Sequence, residues 1–292
     1  MTDFSERAAQ SAARWESAPD DVAYRVCREN ITELLRQQPD SADRPVPACP
    51  GWSVRDVVAH LLEVGEGARS SLSGLPASAP VPDRPGAGID ELLDAWTRTG
   101  LAIEGLLGGH DGWHGPLTMD VFAHELDIRQ VLGQPAPADH PAYPGALRVV
   151  VGGFANSVRT RRLPALRIET PGAHWVAGAG DPVATVCGDR HDLFRSAAGR
   201  RTHRQIAELS WSGPCEDWLP AFLLDRRCGA RQRLLRTPSD CDPRALAGEG
   251  AGDRIADSRA PAGYDRNLAV ELAGVAPASR RFRHHQIGRA HV

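Results

Sequence analysis

The segment Thr118-Met119-Asp120-Val121-Phe122-Ala123-His124-Glu125-Leu126-Asp127-Ile128-Arg129 holds the residues best suited to chemistry. Asp120 and His124 are four apart, so on a helix they share one face. At 3.6 residues per turn that face also collects Leu117, Val121, Ile128, Val131 and Leu132, which makes Asp120, His124 and Asp127 polar intrusions on a core-facing side. Burying an unpaired carboxylate costs several kcal/mol, so such a group needs a cation or hydrogen-bond donors. A divalent metal supplies the cation. His60 lies upstream at the edge of another apolar stripe, beside Val57 and Val64, where a bundle could aim its imidazole at the same point. Two histidines and one carboxylate make a three-ligand site with an open position, the mark of catalytic rather than structural zinc. Asp127 or Glu63 would orient an imidazole from behind. D-x-x-x-H on its own is a weak pattern, and a lone helix histidine is more often a hydrogen-bonded core or surface residue. His110, His114, His140, His174, His191 and His203 show no helical pairing with a second good ligand and are read as ordinary residues.

Positioning these groups requires helices. Apolar periodicity predicts helices near 20–38, 53–66, 88–107 and 117–132, separated by Gly-, Ser- and Pro-rich stretches such as 70–88, and four amphipathic helices form a bundle. Pro50-Gly51 makes a turn, Ser53 caps the second helix with Asp56 three residues on, and Trp52 packs as a staple at its start. Gly133-Gln134-Pro135-Ala136-Pro137, with Pro141 and Pro144, cannot continue a helix and reads as a linker over 134–145. After a helix at 145–160 the pattern turns to alternation, which predicts strands at 166–170, 175–176, 184–186 and 205–211 with a helix at 190–199. The expected organisation is a mainly α four-helix bundle over 1–134, a small α+β domain over 145–222, and a tail over 223–292. That tail is rich in Arg, Gly, Pro and Asp and ends in Ile287-Gly288-Arg289-Ala290-His291-Val292, which resembles a translated sequencing adapter, so it is expected to be disordered or a spurious reading frame.

A net charge of -3 over 292 residues and a pI near 6.4 give no basic field for nucleic acid or anionic membranes. No stretch approaches the ~20 apolar residues of a membrane span, and the first residues lack a secretion signal, so the chain is expected to be cytoplasmic. Six scattered cysteines without a C-x-x-C pair are expected to be reduced and mostly buried.

The run Pro45-Val46-Pro47-Ala48-Cys49-Pro50-Gly51-Trp52-Ser53-Val54-Arg55-Asp56-Val57-Val58-Ala59-His60, together with Asp120 to Gly133, resembles the mycothiol-dependent maleylpyruvate isomerase family. The resemblance continues through Cys187-Gly188-Asp189, Leu193 and Phe194 to Gly199-Arg200-Arg201 and covers roughly residues 20 to 220. It implies a DinB-like metal-binding four-helix bundle followed by a small C-terminal domain, with His60, Asp120 and His124 as ligands. Asp120 stands where the family often has Glu, a longer side chain. Zinc, mycothiol as thiol cosubstrate and a small electrophilic substrate follow, with isomerase or S-transferase chemistry. Arg200 is the candidate for gripping a substrate carboxylate, and equally reads as a surface ion-pair residue in a chain whose 34 basic residues are all arginine. A metal-dependent hydrolase on the same bundle and a non-enzymatic metal-binding module remain the alternatives.

Overall fold

The structure is a computed structural model that describes residues 18–75, 87–109 and 114–222. Its first four helices are α1 (Asp20–Gln37), α2 (Val54–Ser73), α3 (Ile89–Gly108) and α4 (Gly115–Leu132). They pack as a ring in the order α1, α3, α2, α4, each against two neighbours. The apolar stripes meet inside: Tyr24, Ile31 and Leu35 from α1, Val57, Val58 and Leu61 from α2, Leu92, Leu93 and Trp96 from α3, and Val121 and Ile128 from α4 are all buried. Trp96, fully enclosed, donates its indole N–H to the Tyr24 hydroxyl at 3.2 Å, which spares a buried donor. Gly65 lets α2 come close to α3, since a Cβ there would stand 3.3 Å from the Thr99 methyl.

Two local devices set the starts of the helices that matter most. Cys49-Pro50-Gly51-Trp52 closes through Trp52 N–H to the Cys49 carbonyl at 3.0 Å, with Gly51 at φ 84, a left-handed position that suits glycine. Ser53 then caps α2 in a reciprocal box: its hydroxyl accepts from the Asp56 N–H at 3.2 Å while the Asp56 carboxylate accepts from the Ser53 N–H at 2.8 Å. Ser53→Ala is expected to cost about 1 kcal/mol in a denaturant melt. Helix α4 has no side-chain cap of its own. Asp20 of α1 serves instead, accepting from His114 N–H at 2.8 Å and from the Thr118 hydroxyl at 3.2 Å.

Beyond the bundle come α5 (Tyr143–Thr160), β1 (Leu166–Thr170), β2 (Ala173–Ala177), β3 (Ala184–Cys187), α6 (Arg190–Ala197), α7 (His203–Ala207), β4 (Ser210–Trp211) and α8 (Leu219–Phe222). The sheet order is β2-β1-β3-β4, with β1 antiparallel to β2, parallel to β3, and β3 antiparallel to β4. Alternation in β1 buries Leu166, Ile168 and Thr170 on one face. Helix α5 packs against α4 on one side and against β2, α6 and α8 on the other, so it is the wall between bundle and sheet. All described residues fall in one unit, Met1–Gly250.

The architecture is thus a mainly α four-helix bundle followed by a small α+β region, as the periodicity predicts. Two boundaries differ by more than a residue or two. Helix α2 continues through the Gly- and Ser-rich residues to Ser73 and stops at Gly74, which is left-handed at φ 67. The strand expected at 205–211 is instead α7 followed by a two-residue strand, because the Thr202 hydroxyl and the Gln205 side chain form a capping box that winds a turn of helix. Cys27 and Cys49 are in no disulfide and are buried, whereas Cys187 and Cys215 are in no disulfide and only half-buried. His110, Cys228, Cys241 and the tail from 223 lie outside the described residues.

Candidate metal centre

The neighbouring helices α2 and α4 meet at one polar point. His60 Nε2 stands 3.4 Å from Asp120 Oδ2, His124 Nε2 stands 3.7 Å from Asp120 Oδ1, and the two imidazole rings meet edge to face with centroids 5.2 Å apart. One ligand atom from each of the three residues lies within 4.8 Å of the others. Two atoms bound to one tetrahedral zinc at ~2.0–2.1 Å stand about 3.3 Å apart, close to these spacings. His60 Nε2 and Asp120 Oδ2 are shielded from solvent, yet neither has a hydrogen-bond partner among the described residues. Shielded polar atoms left this way are costly unless a cation completes them. The donor set fits a borderline-soft divalent ion.

Asp120 is also poised for a cation electrostatically. Burial alone would raise its carboxyl, but contact with His60 and the charges of His124 and Arg200 outweigh that and hold it down at about 2. It is ionised throughout the neutral range. Its side chain remains 32% exposed, so the cluster is open on the Asp120 side, whereas His124 is almost wholly enclosed.

Behind His124 the polar chain continues. Asp127, one turn further along α4, places Oδ2 3.3 Å from His124 Nδ1 and is fully buried. Arg195 of α6, itself 1% exposed, donates Nη1 to Asp127 Oδ1, and Arg200 reaches Asp127 Oδ2 at 3.4 Å. Burial opposes the Asp127 charge, but His124, Arg200 and Arg195 together hold its carboxyl well below the ordinary carboxylate range. The arrangement lets the carboxylate fix the imidazole ring while two guanidiniums fix the carboxylate.

The structure brings His60, Asp120 and His124 together, puts Asp127 at the second nitrogen of His124, and sets Arg200 beside the same carboxylate, 11% exposed at its side chain. Two residues that read as purely structural also arrive. The Cys49-Trp52 turn sends the Cys49 thiol to within 3.8 Å of Asp127 Oδ2 and the Trp52 ring to 5.2 Å from the His60 ring. The turn signal Pro50-Gly51 was the visible trace of both.

Residues 24–129 match the family model described as the mycothiol maleylpyruvate isomerase N-terminal domain. This part of the chain is similar to such a domain. It takes in most of α1, all of α2 and α3, and α4 as far as Arg129, with all three clustered residues inside it. Crystal structures of the mycothiol-dependent maleylpyruvate isomerase and of a histidine-to-alanine mutant of it are each 14% identical to the chain. Each match covers 66% of this chain and 91% of that one, with TM-scores of 0.46 and 0.45. No curated protein matches the chain.

Sequence reasoning passed over Arg195 and read His140 as an ordinary residue, and the structure buries both. His140, in the segment after α4, accepts the Ala142 N–H at Nδ1 and points Nε2 at Glu125 Oε2, 3.1 Å away. Glu125 is also held by Arg129 at 2.7 Å and Asn30 at 3.0 Å, with Cys27 beside it. With an arginine already neutralising the carboxylate and one ring nitrogen already committed, this cluster locks α1 to α4 rather than inviting a second cation.

Proposed function

We propose that the chain is a metal-dependent, mycothiol-dependent enzyme of the maleylpyruvate isomerase type, with His60, Asp120 and His124 as the metal's ligands. The observation that carries the reading is the convergence of two imidazoles and one ionised carboxylate on a point where shielded atoms have no hydrogen-bond partner. Zinc, when bound there, supplies the Lewis acidity that keeps a thiol deprotonated near neutral pH. The overall reaction is reversible addition of a low-molecular-weight thiol to an electrophilic double bond. In an isomerase the C–S bond forms, the former double bond rotates, and elimination restores the thiol; in an S-transferase the adduct is the product.

The chain's own residues have assigned tasks in this reading. Asp127 Oδ2, 3.3 Å from His124 Nδ1, is placed to take the hydrogen there and leave Nε2 as the lone-pair nitrogen facing Asp120. Arg195 keeps Asp127 ionised inside the protein. Trp52 packs its ring against one side of His60. Arg200, close enough to act on both Asp120 and Asp127, offers a planar fork of N–H donors to a substrate carboxylate.

Arg200→Gln is expected to raise KM for a dicarboxylate substrate about tenfold or more while changing KM for the matching neutral diester little. Equal effects on both would remove the proposed grip. Turnover by the metal-loaded protein is expected to vanish when mycothiol is withheld. Turnover at full rate without any thiol would point instead to the hydrolase alternative, in which water is the nucleophile.

A further inference from the structure

A cleft of about 490 Å³ opens between the C-terminal half of α4 and the segment from α6 to β4, and none of His60, Asp120, His124 or Arg200 lines it. Leu126, Arg129 and Gln130 reach it from a different face of α4 than the one bearing Asp120 and His124. Arg195 stands between the two sites, with Nη1 on Asp127 and Nη2 on Gln130 Oε1 at 3.0 Å.

Its lining is rich in donors. Arg129, Arg195 and Arg201 contribute three guanidiniums against two lining carboxylates, Asp192 and Glu208. A guanidinium has five N–H groups. Arg129 uses one on Glu125, Arg201 one on Asp192 at 3.0 Å, and Arg195 two, which leaves each with donors to spare. His191 adds a ring whose Nδ1 lies 3.2 Å from the Tyr143 hydroxyl. The decisive observation is Ser196. It lines the cleft, is 1% exposed, and its hydroxyl has no hydrogen-bond partner among the described residues. A buried hydroxyl without a partner costs free energy that an incoming acceptor would recover. Leu126 and Leu209 supply an apolar wall, and the volume suits an organic molecule rather than a bare ion.

We propose that this cleft binds a small organic anion, carrying a carboxylate or phosphate group, at a site separate from the metal centre. Its oxyanion takes the spare N–H groups of Arg129 and Arg201 and the Ser196 hydroxyl, and its carbon skeleton lies against Leu126 and Leu209.

The test is calorimetric titration of the full chain with succinate and, separately, with inorganic phosphate at constant ionic strength. Saturable binding of one probe per chain is expected, and the tighter probe identifies the oxyanion class. Ser196→Ala and Arg201→Gln are each expected to weaken it about tenfold or more, while His60→Ala leaves it unchanged. Because Ser196→Ala deletes a hydroxyl that bonds none of the described residues, its melting temperature should be equal or higher, which separates a binding role from a structural one. Absence of saturable binding by both probes, undiminished affinity in both cleft variants, or loss of binding in His60→Ala would each overturn the proposal, the last by placing the anion at the metal centre.

Discussion

Asp127→Ala is expected to destabilise the protein by about 3–5 kcal/mol, a fall of roughly 6–20 °C in melting temperature. The carboxylate is fully buried, and the substitution strands Arg195, itself almost wholly enclosed, with its charge uncompensated. Arg200 and the Nδ1 of His124 lose the same partner. The double change Asp127→Ala with Arg195→Met should recover part of the loss, since an apolar pair replaces a lone buried cation. In metal-free protein the pH dependence has a definite sign. The folded Asp127 carboxyl lies below its ordinary value of 3.8, so its contribution is complete above that value and is lost as pH falls through the lower folded one. Acid melts of wild type and Asp127→Ala should therefore converge at low pH. An Asp127→Ala variant as stable as wild type at pH 7 would show that the buried ion cluster does not hold α6 to α4.

His124→Ala is expected to leave a folded chain with metal affinity reduced by a factor of 100 or more. Asp127 keeps Arg195 and Arg200 in that variant, so the structural ion cluster survives. The three proposed ligands fall to two, and the more enclosed of the two imidazoles is the one removed. Outer partners of a metal site already matter by about 10- to 100-fold, and a direct ligand matters more. Chelator competition, read alongside the far-ultraviolet spectrum, separates metal loss from unfolding. Undiminished affinity in a folded variant would take His124 out of the ligand set.

Much of this geometry is legible in the sequence. Asp120 and His124 stood out because two polar groups four apart interrupted an apolar face, and helix periodicity carries that information locally. His60 could be placed at the edge of its stripe, although its 3.4 Å approach to Asp120 depends on how α2 and α4 pack, which no local pattern encodes. Arg195 was invisible for a different reason. Its type is common in the chain, and only a partner 68 residues away, Asp127, makes it a buried residue. His140 has no ligand at helical spacing and meets Glu125 solely because the segment after α4 folds back. The strand expected at 205–211 failed where a local capping box, Thr202 with Gln205, overrode a short apolar alternation.

Elemental analysis of the purified full chain, exposed to zinc and then freed of excess metal, bears on the functional reading at its root. About one divalent metal per chain is predicted, falling to none when His60→Ala and His124→Ala are combined. A folded wild-type protein that retains no metal would contradict the account and leave His60, Asp120 and His124 as a polar contact between two helices.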